Sequence, residues 1–290
     1  MSKKYMKALL LFGIFVGIMG IVVLMLTIDQ AESITPLIPF GHQGIQFAII
    51  FFVLWPLLSI LGAILFGYLL TPLFLIVHKK VIGRDAVYGI QEKAESKEFK
   101  KYFQGFFPAL IAINLSLMVV DDPESPFMQF ILHEPGEPSM VLPAFVIMLA
   151  FTICIALALF SPAWFLRDSG IVYSNKEKDK DTDKPIEIRS VGGWYIQLLK
   201  GYAGISVILT YYDFFMNYLP ILMEGSSLFS YILIFILFIP MPIIVALSTI
   251  PAIILLDLTR ESRKKYVKKI AMKYGVSDLV EVTFEVINKE

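Results

Sequence analysis

Lys200 is the one full charge standing well inside an apolar stretch of this chain, GGWYIQLLKGYAGISVILTYYDFF from Gly192 to Phe215. The same stretch holds Gln197, Ser206, Thr210 and Asp213, and two close glycines, Gly201 and Gly204. Read as a helix, it places Ser206, Thr210 and Asp213 at i, i+4 and i+7 on one stripe. Gln197, Gly201, Gly204 and Tyr211 lie along a second stripe. Polar groups in hydrocarbon are costly and turn toward a bundle interior or a cavity, so a helix wholly facing lipid does not carry this load. The expectation is a central helix with the other spans as its wall. Its polar arc either lines a path ending at Asp213 or packs a neighbour through small residues and interhelical hydrogen bonds.

Lys200 lies seven residues past Gly193, about 10 Å of helical rise. Its long stem either snorkels to the near interface or pairs at that depth. Asp257, at the end of the last apolar run, is the first candidate partner and Asn114 the neutral alternative.

Other chemistry is thin. The three histidines, His42, His78 and His133, are far apart in sequence, which argues against a pair of axial haem ligands and against histidine-rich metal chemistry. His133-Glu134 has no companion at ligand spacing. No HExxH, GxSxG or Walker A segment occurs, nor a TVGYG filter. No apolar run holds two carboxylates. Cys154 is the sole cysteine, so no intrachain disulfide forms. No catalytic residue, metal or cofactor is expected, and the chain leans away from an enzyme.

The elements that must position these residues follow from composition. The chain has 290 residues, 57% hydrophobic and 17% charged, with mean hydropathy +0.72. Soluble domains carry about 25% charge. The excess lies in runs near 20 residues, the length that crosses a bilayer core as helix. The predicted fold is an all-α membrane protein, a six-helix transmembrane bundle over residues 1–258. Its spans fall at about 8–28, 46–67, 105–120, 143–166, 193–214 and 230–258. The second apolar run continues to Val77, with a bend expected near Pro72. Pro240, Pro242 and Pro251 predict a kinked or unwound last span. Gly13, Gly17 and Gly20 mark a packing face on the first.

Residues 259–290 form a tail. Val267, Ile270, Ala271 and Tyr274 repeat at helical spacing with lysines opposite, and Gly275 stops the helix. Val280 to Val286 alternates like a strand. A short cytoplasmic sheet is expected from 170–174, 185–191 and 279–287.

Charge orients the chain. Apart from Lys200, every Lys and Arg lies in the head, in the loops 78–104 and 167–191, or in the tail. The other three loops hold acids alone: Asp29, Glu32, Asp121, Asp122, Glu124, Glu134, Glu137 and Glu224. Basic residues flank the cytoplasmic ends of spans, so a multi-pass cell-membrane protein with both termini cytoplasmic is expected. Its basic faces attract anionic lipid headgroups. The lysines lack interleaved exposed aromatics, so no nucleic-acid partner is expected. Three functions fit: a transporter or permease-like subunit with a polar path along the fifth span; a non-catalytic membrane scaffold or complex subunit, with a protein partner or as a homo-oligomer; or a lipid-modifying enzyme using Arg167, Asp168, Lys200 and Asp257.

Overall fold

The computed structural model describes residues 50–82, 86–91, 103–120, 141–175, 188–218, 220 and 241–276. The first predicted span, with Gly13, Gly17 and Gly20, and the predicted strand 279–287 lie outside these residues.

The first described helix runs as a π-turn (Ile50–Leu54), α1 (Trp55–Ile60), a second π-turn (Leu61–Leu65) and α2 (Phe66–Val81). The segment Phe52–Val81 is one apolar helix of 30 residues. The bend expected at Pro72 does not occur; Pro72 sits inside α2. Proline lacks an N–H, which frees the carbonyl four residues back, here that of Tyr68. The Tyr266 hydroxyl donates to it at 2.9 Å. A donor from the tail thus replaces the missing ladder bond, and the helix runs on.

After β1 (Ala86–Ile90) and a 3-10 turn (Phe103–Gly105) comes α3 (Phe106–Val120). α4 (Val141–Asp168) follows, then β2 (Ile171–Asn175), β3 (Arg189–Ser190), α5 (Val191–Asp213) and a third π-turn (Phe214–Tyr218). The chain closes with α6 (Met241–Ser248), α7 (Ile250–Leu258) and α8 (Arg260–Lys273).

The sheet is three-stranded, antiparallel and ordered β1-β2-β3. Tyr88 pairs with Tyr173, and Tyr173 with Arg189. It corrects the expected sheet. β2 matches the first predicted segment within a residue, the second shrinks to two residues, and β1 comes from a stretch read as loop.

Among the described residues two helices are long and apolar enough to cross a membrane, Phe52–Val81 and Ile147–Asp168. A third joins them if α6 and α7, bent by 40° to one another, count as one broken span. The described helices therefore account for two or three of the six predicted spans. α5 has the length of a span, but Gln197, Lys200 and Asp213 dilute its apolar character and it is not in this set. The last run breaks at Thr249, where Pro251 cannot continue the ladder. Ser248 and Thr249 turn their hydroxyls onto the carbonyls of Val245 and Ala246.

The centre of the bundle is α4, which corrects the expectation that the Lys200 helix is central. In the apolar window of Ile147–Asp168, 78% is buried, against 28% for Phe52–Val81. Ala, Ser and Gly faces allow the close approach. A Cβ on Gly62 would lie 2.3 Å from the Cys154 carbonyl oxygen, so the second π-turn and α4 touch backbone to backbone. α5 lies at the periphery. Tyr195, Ile196, Ala203, Ser206 and Thr210 face inward, while Leu198, Ile205, Ile208, Leu209 and Tyr212 are exposed, Ile208 by 71%.

Candidate functional site

The polar residues of α5 divide between its two sides. Ser206 is fully buried and Thr210 is 5% exposed, and neither hydroxyl has a hydrogen-bond partner. Asn114 on α3 is 3% exposed, and its Oδ1 is likewise unpartnered. Thr210 borders a small cleft between α3, α5 and α6 with Leu110, Ile113, Val207, Tyr211 and Met241. The cleft is about 240 Å³ of atom-free space, open on one side and almost wholly apolar.

Gln197 and Lys200 are exposed and stand apart from that cleft. The Lys200 ammonium lies over the Phe107 ring, 4.7 Å from its centroid, and not against Asp257, which is half-buried on α7. The predicted Lys200–Asp257 ion pair is thus replaced by a cation–π contact. Asp213 is half-buried at the end of α5. Gly201 and Gly204 do not serve as the expected contact face, since a Cβ on either meets nothing within 4 Å.

Sequence reasoning missed a second cluster, at the end where the sheet sits. His78, in the last turn of α2, is fully buried. Its Nδ1 and the Tyr88 hydroxyl are 2.8 Å apart. The rings of Tyr173, Trp194 and Tyr195 surround it, with centroids 4.6, 5.4 and 5.9 Å away. Its Nε2 has no partner. Lys79 covers the Tyr88 ring and donates to the Tyr274 carbonyl at 2.5 Å. The Tyr195 hydroxyl donates to the Phe74 carbonyl at 2.8 Å. One ring cluster therefore ties α2, β1, β2 and the start of α5. Burial, with Tyr173 and Tyr195 adding to it, pushes the Tyr88 phenol above its ordinary range.

Arg263 is the third site. It is 3% exposed on α8, on the same stripe as Val267 and Ala271. Its Nη2 donates to the Leu256 carbonyl at 2.6 Å, closing the last turn of α7, and lies 3.6 Å from the Asp168 carboxylate. Its guanidinium stacks over Phe165 at 4.5 Å. Burial lowers the basicity of Arg263 and Asp168 opposes that shift. Asp168 also meets Arg167 at 3.3 Å. Arg167 and Asp168 are thus joined by Arg263, while Lys200 faces Phe107. The quartet expected of a lipid-modifying enzyme does not assemble. A signal for Arg263 was readable, a cation four residues before Val267 on an apolar stripe. None existed for His78, whose ring neighbours come from four separate segments.

Among the described residues no group of three or more His, Cys, Asp and Glu could hold a metal ion. Comparison with protein-family models, curated proteins and solved structures returned no match.

Proposed function

We propose that this chain is a six-span membrane protein with both termini cytoplasmic, and that it acts as a non-catalytic scaffold or complex subunit. One observation carries the reading: the buried polar groups of the cytoplasmic end are spent tying elements to one another. His78–Tyr88, Tyr195–Phe74, Tyr266–Tyr68 and Arg263–Leu256 each join separate segments of the chain. The cleft beside Thr210 is too small for an organic solute. Such a structure holds a fixed cytoplasmic face. The exposed lysines of α8, Lys265, Lys269 and Lys273, rest that face against anionic headgroups, each contributing about 1 kcal/mol.

A second reading, a transporter or permease-like subunit, draws on the unpartnered oxygens of Asn114, Ser206 and Thr210. One experiment separates the two. In a Cys154→Ser background, single cysteines at 197, 200, 206, 210 and 213 are labelled with a membrane-impermeant thiol reagent in intact and inverted vesicles. The scaffold reading expects labelling at 197 and 200 and none at 206 and 210. Labelling of 206 and 210 from both sides would overturn it in favour of transport.

A further inference from the structure

A buried Ser or Thr in a helix commonly turns its hydroxyl back onto a carbonyl three or four residues earlier. Thr71, Ser116, Thr152, Ser248 and Thr259 all do so here. Ser206 and Thr210, one turn apart on α5, are buried and do not. Asn114 stands one turn beyond Leu110 and next to Ile113, and both of those line the cleft that Thr210 borders. Its Oδ1 is unpartnered as well.

Three neighbouring oxygens left bare in the middle of an apolar bundle are strongly unfavourable. The cleft has room for a single water and no more. All three groups are neutral, and Lys200 is engaged with Phe107 elsewhere. An ion would enter without a compensating charge, whereas a water needs two to four polar partners. We infer that Thr210, with Asn114 and Ser206, binds one ordered water in the cleft between α3, α5 and α6. The water fixes α3 to α5 at mid-bundle. This holds under either functional reading, since a single enclosed water is not a path.

The test is the thermal midpoint of the full-length protein in detergent. Thr210→Val keeps the side-chain shape and removes the hydroxyl. If the water is held, the midpoint falls by roughly 2–4 °C, the shift of about one hydrogen bond in a chain of this size. Thr210→Ser restores it. Thr210→Val combined with Asn114→Leu falls by less than the two single shifts added, because both act on one water. A Thr210→Val midpoint unchanged or raised overturns the site, as removing a bare hydroxyl from a dry cleft would do. Should Thr210→Val fail to accumulate, radiolytic hydroxyl-radical labelling of the wild-type protein decides. Early oxidation of Tyr211 and Met241, beside the cleft, supports the bound water, and protection of both refutes it.

Discussion

Substituting alanine at individual glycines separates close contacts from open surface with the smallest possible perturbation. On Gly192, a Cβ would lie 2.2 Å from the Arg167 amide nitrogen, 2.4 Å from the Ala163 carbonyl oxygen and 2.7 Å from the Arg167 Cα. All three atoms are backbone of α4, so no rotamer change relieves the clash. The helices must part by about 1 Å, and overpacking of this kind costs about 1–3 kcal/mol. The parting also stretches the Tyr195–Phe74 hydrogen bond three residues on, a further ~1 kcal/mol. The helix-propensity gain of at most about 1 kcal/mol recovers part of this. The net loss is about 2–3 kcal/mol, and at roughly 2–4 °C per kcal/mol Gly192→Ala lowers the midpoint by about 4–12 °C. Gly201→Ala and Gly204→Ala meet nothing within 4 Å and gain about 0.5–1 kcal/mol from helix propensity. They raise it by about 1–4 °C. The assay is a thiol-reactive fluorogenic dye on detergent-solubilised protein, with Cys154 as the only reporter. A neutral Gly192→Ala would refute the close α4–α5 contact. A loss at Gly201 or Gly204 equal to that at Gly192 would show that the outer face of α5 is covered.

Lys200→Met and Asp257→Leu act independently, because Lys200 faces Phe107; expression and midpoint losses of the double variant equal the sum of the singles, and a rescue by the second change would restore the ion pair. Ser116 and Thr152 share a buried hydrogen bond of 2.7 Å between α3 and α4. Ser116→Ala costs about 1 kcal/mol, and adding Thr152→Val costs less than it does alone, read by a double-mutant cycle. The Tyr88 phenol titrates higher when folded than its ordinary value near 10. Below that pH both states keep the proton; above it the unfolded chain loses its proton first, so stability falls as pH rises. Midpoints measured from pH 8 to about 11 decline less steeply in Tyr88→Phe than in the wild type.

Periodicity made much of the architecture readable. The apolar runs became α1 to α4, and the inward stripe of α5 does carry Ser206 and Thr210 as their spacing required. The proline-rich last run does break, and α8 does bury Val267 and Ala271. What failed was the inference from polar content to centrality. The polarity of α5 is split by direction, with Gln197 and Lys200 turned outward and the hydroxyls inward, so the helix is peripheral. α4 carries little polarity because it is enclosed by other helices, and an apolar run looks the same whether lipid or protein surrounds it. Pro72 was misread for a different reason. Whether a proline bends a helix depends on who satisfies the freed carbonyl, and Tyr266 is 198 residues away. β1 was hidden likewise. AVYGI has no alternation of its own and is a strand because Ile171–Asn175 pairs with it.

That pairing sets an order of events during synthesis. Residues 91 to 170 separate β1 from its partner strand, and they include all of α3 and α4. β1 leaves the ribosome long before β2 exists. Its hydrogen-bonding edges stay open until α4 has been threaded into the bilayer and has returned the chain to the same side. The cytoplasmic cap is therefore a checkpoint on insertion. A nascent chain in which α4 integrates the wrong way round delivers β2 to the opposite side of the membrane. Tyr88 and His78 are then left exposed where quality-control proteases can find them. Lys79 and Tyr68 wait longer still for Tyr274 and Tyr266. The last contacts made in the cytoplasm are those that seal the first helix described.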